Sequence, residues 1–99
     1  MVKHVILWKL KDMPQQQLET VKTEMKQQLE ALVGKIPGLL ELHVYTDKLD
    51  SSNVDVMLDS SFESEDALKG YAVHPDHVAA ADGYVRPYTA SRACLDFNM

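Results

Sequence analysis

The chain has 99 residues, 45% of them hydrophobic, and a net charge of −5. That length suits a single domain, residues 1–99, with one modest core, while the mild acidity leaves no basic face for nucleic acid and no apolar run is long enough to cross a membrane. The one cysteine, Cys94, has no partner for an internal disulfide, and the start Met1-Val2-Lys3-His4 lacks a signal-peptide apolar region, so a reducing, cytoplasmic location is expected.

Residues 2–11, VKHVILWKLK, read as a strand. His4, Ile6, Trp8 and Leu10 point one way, and Val5, Leu7 and Lys9 the other. Both faces are largely apolar, so both need cover. Asp12 offers an N-cap and Pro14 suits a first helical turn. Leu18, Val21, Met25, Leu29 and Leu32 then recur at helical spacing, an amphipathic helix that Gly34 can end in a left-handed conformation. IPG at 36–38 signals a turn, and LLELHVY, 39–45, a second strand. VDVMLDSSF, 54–62, alternates as a third, with Val54, Val56 and Leu58 on one face and Asp55, Met57 and Asp59 on the other. Ser64 caps a short helix through Tyr71. Pro75 restarts a helical segment to about Val85, Arg86-Pro87 breaks it, and TASRACLDF, 89–97, is the last strand.

The order is β-α-β-β-α-β. Right-handed crossovers turn it into an α+β, ferredoxin-like plait: a four-stranded antiparallel sheet with helices on one face. The other face, carrying Val5, Leu7 and Met57, is left bare. A bare apolar face of that size marks an interface, and a face-to-face homodimer is the economical cover.

KHVILWKLKD, FES, the element YAVHPDHV at 71–78 and the closing CLDF resemble, in order and over essentially the whole chain, the stress-responsive A/B barrel (Dabb) family. The Y-x-x-H-P-x-H element is the most specific part. The resemblance implies a dimeric α+β barrel. The family is functionally mixed, and many members are small stress-associated proteins. Its polyketide-cyclase members use the tyrosine and second histidine of the motif and a histidine of the first strand, which correspond to Tyr71, His77 and His4. Their pocket lies between sheet and helices, where Ile6, Trp8 and Leu58 stand here. Ala79, Ala80 and Ala81 replace a larger aromatic of the cyclases and Val56 replaces a polar ring, so the same polyketide substrate is not expected.

The residues themselves weigh chemistry against structure. A neutral imidazole at His77 can take and return a proton near neutral pH, and the Tyr71 hydroxyl can donate to an oxygen that gains charge. The same pair can equally pin a helix turn to a sheet. His74, before Pro75, suits capping. His4 and Trp8 share an apolar face and suit a core as well as a pocket wall. His43, beside Glu41, suits the surface or a rim. The H-P-x-H spacing matches no standard zinc pattern, so no metal or other cofactor is expected. Lys9 and Asp59 face the same way on neighbouring strands and suit an ion pair. Cys94 reads as a buried small hydrophobe and Asp96 as a tie for the last strand. Arg92 has two placements. On the helix side it is a pocket cation able to hold a carboxylate or enolate. On the other side it lies in the dimer barrel with Asp59, a pairing the pattern slightly prefers. Three functions remain: a cofactor-free cyclase- or lyase-type enzyme acting on a carbonyl compound, a stress-responsive or ligand-binding protein without turnover, and a cofactor-free monooxygenase.

Overall fold

The computed structural model describes all 99 residues. The elements follow as β1 (Val2–Leu10), α1 (Gln15–Glu30), β2 (Leu39–Tyr45), β3 (Val56–Phe62), α2 (Glu65–Val73), α3 (Pro75–Tyr84), a 3₁₀ turn (Arg86–Tyr88) and β4 (Thr89–Asn98). The strands form one sheet in the order β2-β3-β1-β4, and every neighbouring pair is antiparallel. This is the ferredoxin-like plait expected from the alternation.

The core lies between the sheet and the helices. Ile6, Trp8, Leu42, Val44, Val56, Leu58 and Phe62 supply the sheet side, and Val21, Met25, Leu29 and Tyr71 the helix side, all of them buried. The period-2 and period-3.6 apolar patterns meet there, each large side chain contributing about 1.5–3 kcal/mol by leaving water. One contact ties α1 to the open edge of β2. Glu30 accepts the Val44 N–H at 2.9 Å and Lys26 at 2.8 Å, and Lys26 also donates to the Val44 carbonyl at 2.8 Å. Burial works to raise the Glu30 pKa, but the Lys26 and Val44 hydrogen bonds outweigh it and hold the carboxyl below its ordinary value.

Four local expectations need correction. Asp12 does not cap α1. Pro14 occupies that position with no side-chain bond, and its carbonyl accepts from Leu18; a proline at the boundary already supplies the turn. The helix ends at Glu30, before Gly34, because Leu32 and Val33 bond back three residues and tighten the chain into a turn; Gly34 still takes φ +87° within it. The third strand begins at Val56 rather than Val54, after the Asp55 N–H has bonded the Trp8 carbonyl. Asp59 pairs with Lys3 at 2.5 Å and not with Lys9. The register sets Val5 opposite Asp59, which leaves Lys9 four residues, about 13 Å, along the strand.

Gly38 carries a constraint that IPG only hints at. It has φ +79°, and a Cβ there would lie 2.4 Å from the Ala67 Cβ. Its carbonyl accepts the Glu63 N–H at 2.9 Å. Only glycine lets the start of β2 and the start of α2 approach this closely.

Candidate functional site

Between the helix side of β1 and β4 and the helices α2 and α3 lies a cavity of about 540 Å³, a volume typical of small-molecule sites. Alternate residues of β1 supply His4, Ile6 and Trp8, and β3 supplies Leu58. Tyr71 comes from α2, His77 from α3 and Arg92 from β4, so all seven residues singled out in the sequence line this one space. Leu68, Ala81 and Val85 add apolar wall. Trp8, only 6% exposed, serves core and wall together.

The break at Pro75 brings Tyr71 and His77 together. His74 holds extended backbone and its Nδ1 accepts the Asp76 N–H at 3.1 Å, capping α3 with Pro75 in its first turn. The chain thereby folds His77 back onto Tyr71, with ring centroids 4.1 Å apart and a 35° tilt. Tyr71 also packs edge-on against Phe62 at 5.0 Å and against His4 at 6.0 Å. Burial raises its hydroxyl pKa far above the ordinary value, so it stays protonated and available as a donor. His77 Nδ1 lies 3.3 Å from the Ala72 carbonyl. A carbonyl only accepts, so Nδ1 carries the proton and Nε2 keeps its lone pair. Burial lowers the His77 pKa, the Ala72 bond partly offsets this, and Arg86, His4 and Arg92 lower it further. The imidazole is neutral at neutral pH.

The last strand answers the question its sequence left open. Ile6 stands opposite Cys94, Trp8 opposite Arg92 and His4 opposite Asp96. Cross-strand partners share a face, so Arg92 turns toward the helices and not to Asp59. Ala93, Leu95 and Phe97 stand opposite Leu7, Val5 and Lys3, on the helix-free side. Cys94 is exposed rather than buried, because β4 is an edge strand that the helices do not reach. Asp96 does more than tie down a strand. Its carboxylate meets His4 Nδ1 at 2.5 Å and takes a bond from the Cys94 thiol at 3.4 Å. Partial desolvation by its neighbours and the Asp96 contact push the thiol pKa up. His4, Cys94 and Asp96 each present a ligand-type atom within 4.8 Å of the others. The His4–Asp96 separation is shorter than the roughly 3.3 Å between two ligands on one tetrahedral zinc; the trio is arranged as a hydrogen-bonded chain.

Sequence reasoning passed over Asp96 as a site residue, and also Lys69, Glu65 and Arg86, which line the cavity. The signal for Asp96 was its even spacing from Arg92 on one strand, useful only once the register with His4 is known. His43 stands exposed on the surface beside Glu41 at 3.6 Å.

Comparison with known proteins agrees with this architecture. The model of the stress responsive A/B barrel domain family matches residues 2–99. A dimeric protein of unknown function with a ferredoxin-like fold from Bacteroides fragilis is 34% identical, with TM-score 0.92, over 99% of this chain and 95% of that one. A dimeric ferredoxin-like protein of unknown function from Thermobifida fusca is 29% identical, with TM-score 0.79, over 99% and 90%. A hydroxynitrile lyase from Passiflora edulis, 16% identical with TM-score 0.74 over 99% and 92%, shares the fold. No curated protein matches the chain.

Proposed function

The chain belongs to the stress responsive A/B barrel domain family, and from that premise we propose that it is a dimeric small-molecule-binding protein whose cavity takes a carbonyl compound, with His77 as general base and Tyr71 as hydrogen-bond donor. The observation that carries this reading is the pairing, on one cavity, of a protonated hydroxyl with an imidazole whose Nε2 is unprotonated. A base must reach ~3 Å from the proton it removes, and a donor must reach the oxygen that gains charge. His77 Nε2 takes the proton from an activated C–H or O–H, the Tyr71 hydroxyl bonds the oxygen of the resulting enolate or alkoxide, and the proton returns from His77 to the product. His4, held by Asp96, forms the neighbouring wall. The hydroxynitrile lyase of Passiflora edulis shows that the fold can carry lyase chemistry.

A second reading, binding without turnover, draws support from the close Tyr71–His77 packing at 4.1 Å, a contact that also braces the helices. The dimer forms through the helix-free face. On that face Leu95 is 63% exposed and Phe97 40%, and the relatives from Bacteroides fragilis and Thermobifida fusca are dimeric.

Deuterium exchange at the activated C–H of phenylacetone, followed by NMR in D2O together with binding of the same compound, separates the readings. Exchange above the buffer rate that disappears in His77→Ala, with Tm within a few degrees of wild type, supports the base. Binding without exchange leaves a receptor. Absence of binding overturns both.

A further inference from the structure

The charges around the cavity run against those of the whole protein. The chain carries −5 overall, yet the cations Lys69, Arg86 and Arg92 outnumber the carboxylates Glu65 and Asp96 in the cavity lining. Asp96 is already bonded to His4. Arg86 is paired with Asp82 one helical turn earlier. Arg92 takes part in none of the ion pairs of the fold, although its register opposite Trp8 directs it to the helix side. A guanidinium with five donors, left unpaired on a concave wall, is a site for a planar anion.

The apolar part of the wall stands beside it. Trp8 faces Arg92 across the β1–β4 pair, and Ile6 and Leu58 continue the surface along β1 and β3. His77 lies close enough to both Arg86 and Arg92 for each to disfavour its protonated form. The cations, the base and the apolar floor thus share one space, and a ligand that satisfies all three has an apolar body and an anionic end.

We propose that the cavity is built for a small amphipathic carboxylate, its anionic end held by the Arg92 guanidinium and its hydrocarbon part lying on Trp8, Ile6 and Leu58. This assignment rests on the cavity reading made above and narrows its ligand from carbonyl compounds at large to organic acids. It also gives the proton transfer a further feature. A bound carboxylate neutralises Arg92, one of the two cations that oppose protonation of His77, so the base gains proton affinity when its ligand is in place. In the resting protein Tyr71 of α2 stacks on His77, and His4 of β1, Arg92 of β4 and Arg86 of the 3₁₀ turn each disfavour its charged form. Of these, Arg92 is the cation free to take an anion.

The test compares 4-phenylbutanoate with its neutral analogue 4-phenylbutanamide by titration calorimetry, on wild type and Arg92→Gln. Arg92 lies on an exposed stretch of edge strand and holds no partner, so its replacement leaves the fold standing, and binding of the amide checks that the cavity is intact. The expected result is a carboxylate that binds wild type roughly ten- to a hundredfold more tightly than the amide, with that preference lost in Arg92→Gln through weaker binding of the acid alone. Added NaCl should weaken the acid and leave the amide unchanged. Equal affinities in wild type, or a preference that survives Arg92→Gln, overturn the assignment while the cavity reading stands. Failure of both probes to bind removes the cavity reading and this inference with it.

Discussion

Gly38 and Gly34 make an internal comparison in which one substitution tests two different costs. Both residues hold positive φ, +79° and +87°, and alanine at either pays about 1 kcal/mol for a left-handed backbone. At Gly34 nothing lies within 4 Å of the new Cβ, so that cost stands alone. At Gly38 the new Cβ would sit 2.4 Å from the Ala67 Cβ, and overpacking of this kind adds about 1–3 kcal/mol. Gly38→Ala should therefore destabilise by about 2–4 kcal/mol. With a urea m-value near ~1.5 kcal/mol per M for a chain of this size, its midpoint falls by roughly 1.3–2.7 M against ~0.7 M for Gly34→Ala. Urea unfolding at one protein concentration, followed by circular dichroism, reads the difference. Adding Ala67→Gly removes the clashing methyl, so Gly38→Ala should cost less in that background, a coupling measured by the double-mutant cycle. Ala67 lies one helical turn before Tyr71, so displacement of α2 also moves the cavity wall, and Gly38→Ala should weaken phenylacetone binding where Gly34→Ala does not. Equal costs at the two glycines, or no coupling to Ala67, would refute the close approach of β2 and α2.

Two further outcomes follow from the helix-free face and from His77. Leu95→Asp or Met57→Lys should shift the protein from twice 11.2 kDa toward that mass in light scattering at micromolar concentration. The same charge at the exposed Gln16 should not, and a wild-type monomer would sink the interface. Burial lowers the His77 pKa, so its contribution to stability is complete above the unfolded value of about 6.5. It is lost as pH falls from there toward the lowered folded value, because the unfolded chain takes up the proton first. Urea midpoints at pH 7.5 and 5.5 should therefore differ less in His77→Gln than in wild type. Glu30 and Asp55, also lowered, begin to lose their contributions only near their ordinary values of 4.5 and 3.8, below this window. An unchanged difference in His77→Gln would place His77 in water.

Periodicity alone determined the architecture. The alternation of β1, the helical spacing of Val21, Met25 and Leu29 and the break at Pro75 are local, and each is enforced within a few residues by backbone geometry. The motif Tyr71 to His77 was legible for the same reason: a proline after His74 ends one helix and opens the first turn of the next, which leaves few ways to place the second histidine. The last strand was different. TASRACLDF alternates acceptably in either phase, and a slip of one residue exchanges Arg92, Cys94 and Asp96 for Ala93, Leu95 and Phe97. Only the hydrogen-bonded register against β1, with Trp8 opposite Arg92 and His4 opposite Asp96, selects one of them. The pairing of Lys3 rather than Lys9 with Asp59 depends on register in the same way, and the contact of Gly38 with Ala67 joins residues that no local pattern connects. Which residues form strands and helices is a property of neighbours along the chain. Which charges face the cavity is a property of neighbours across the sheet, and it appears only when the strands have paired.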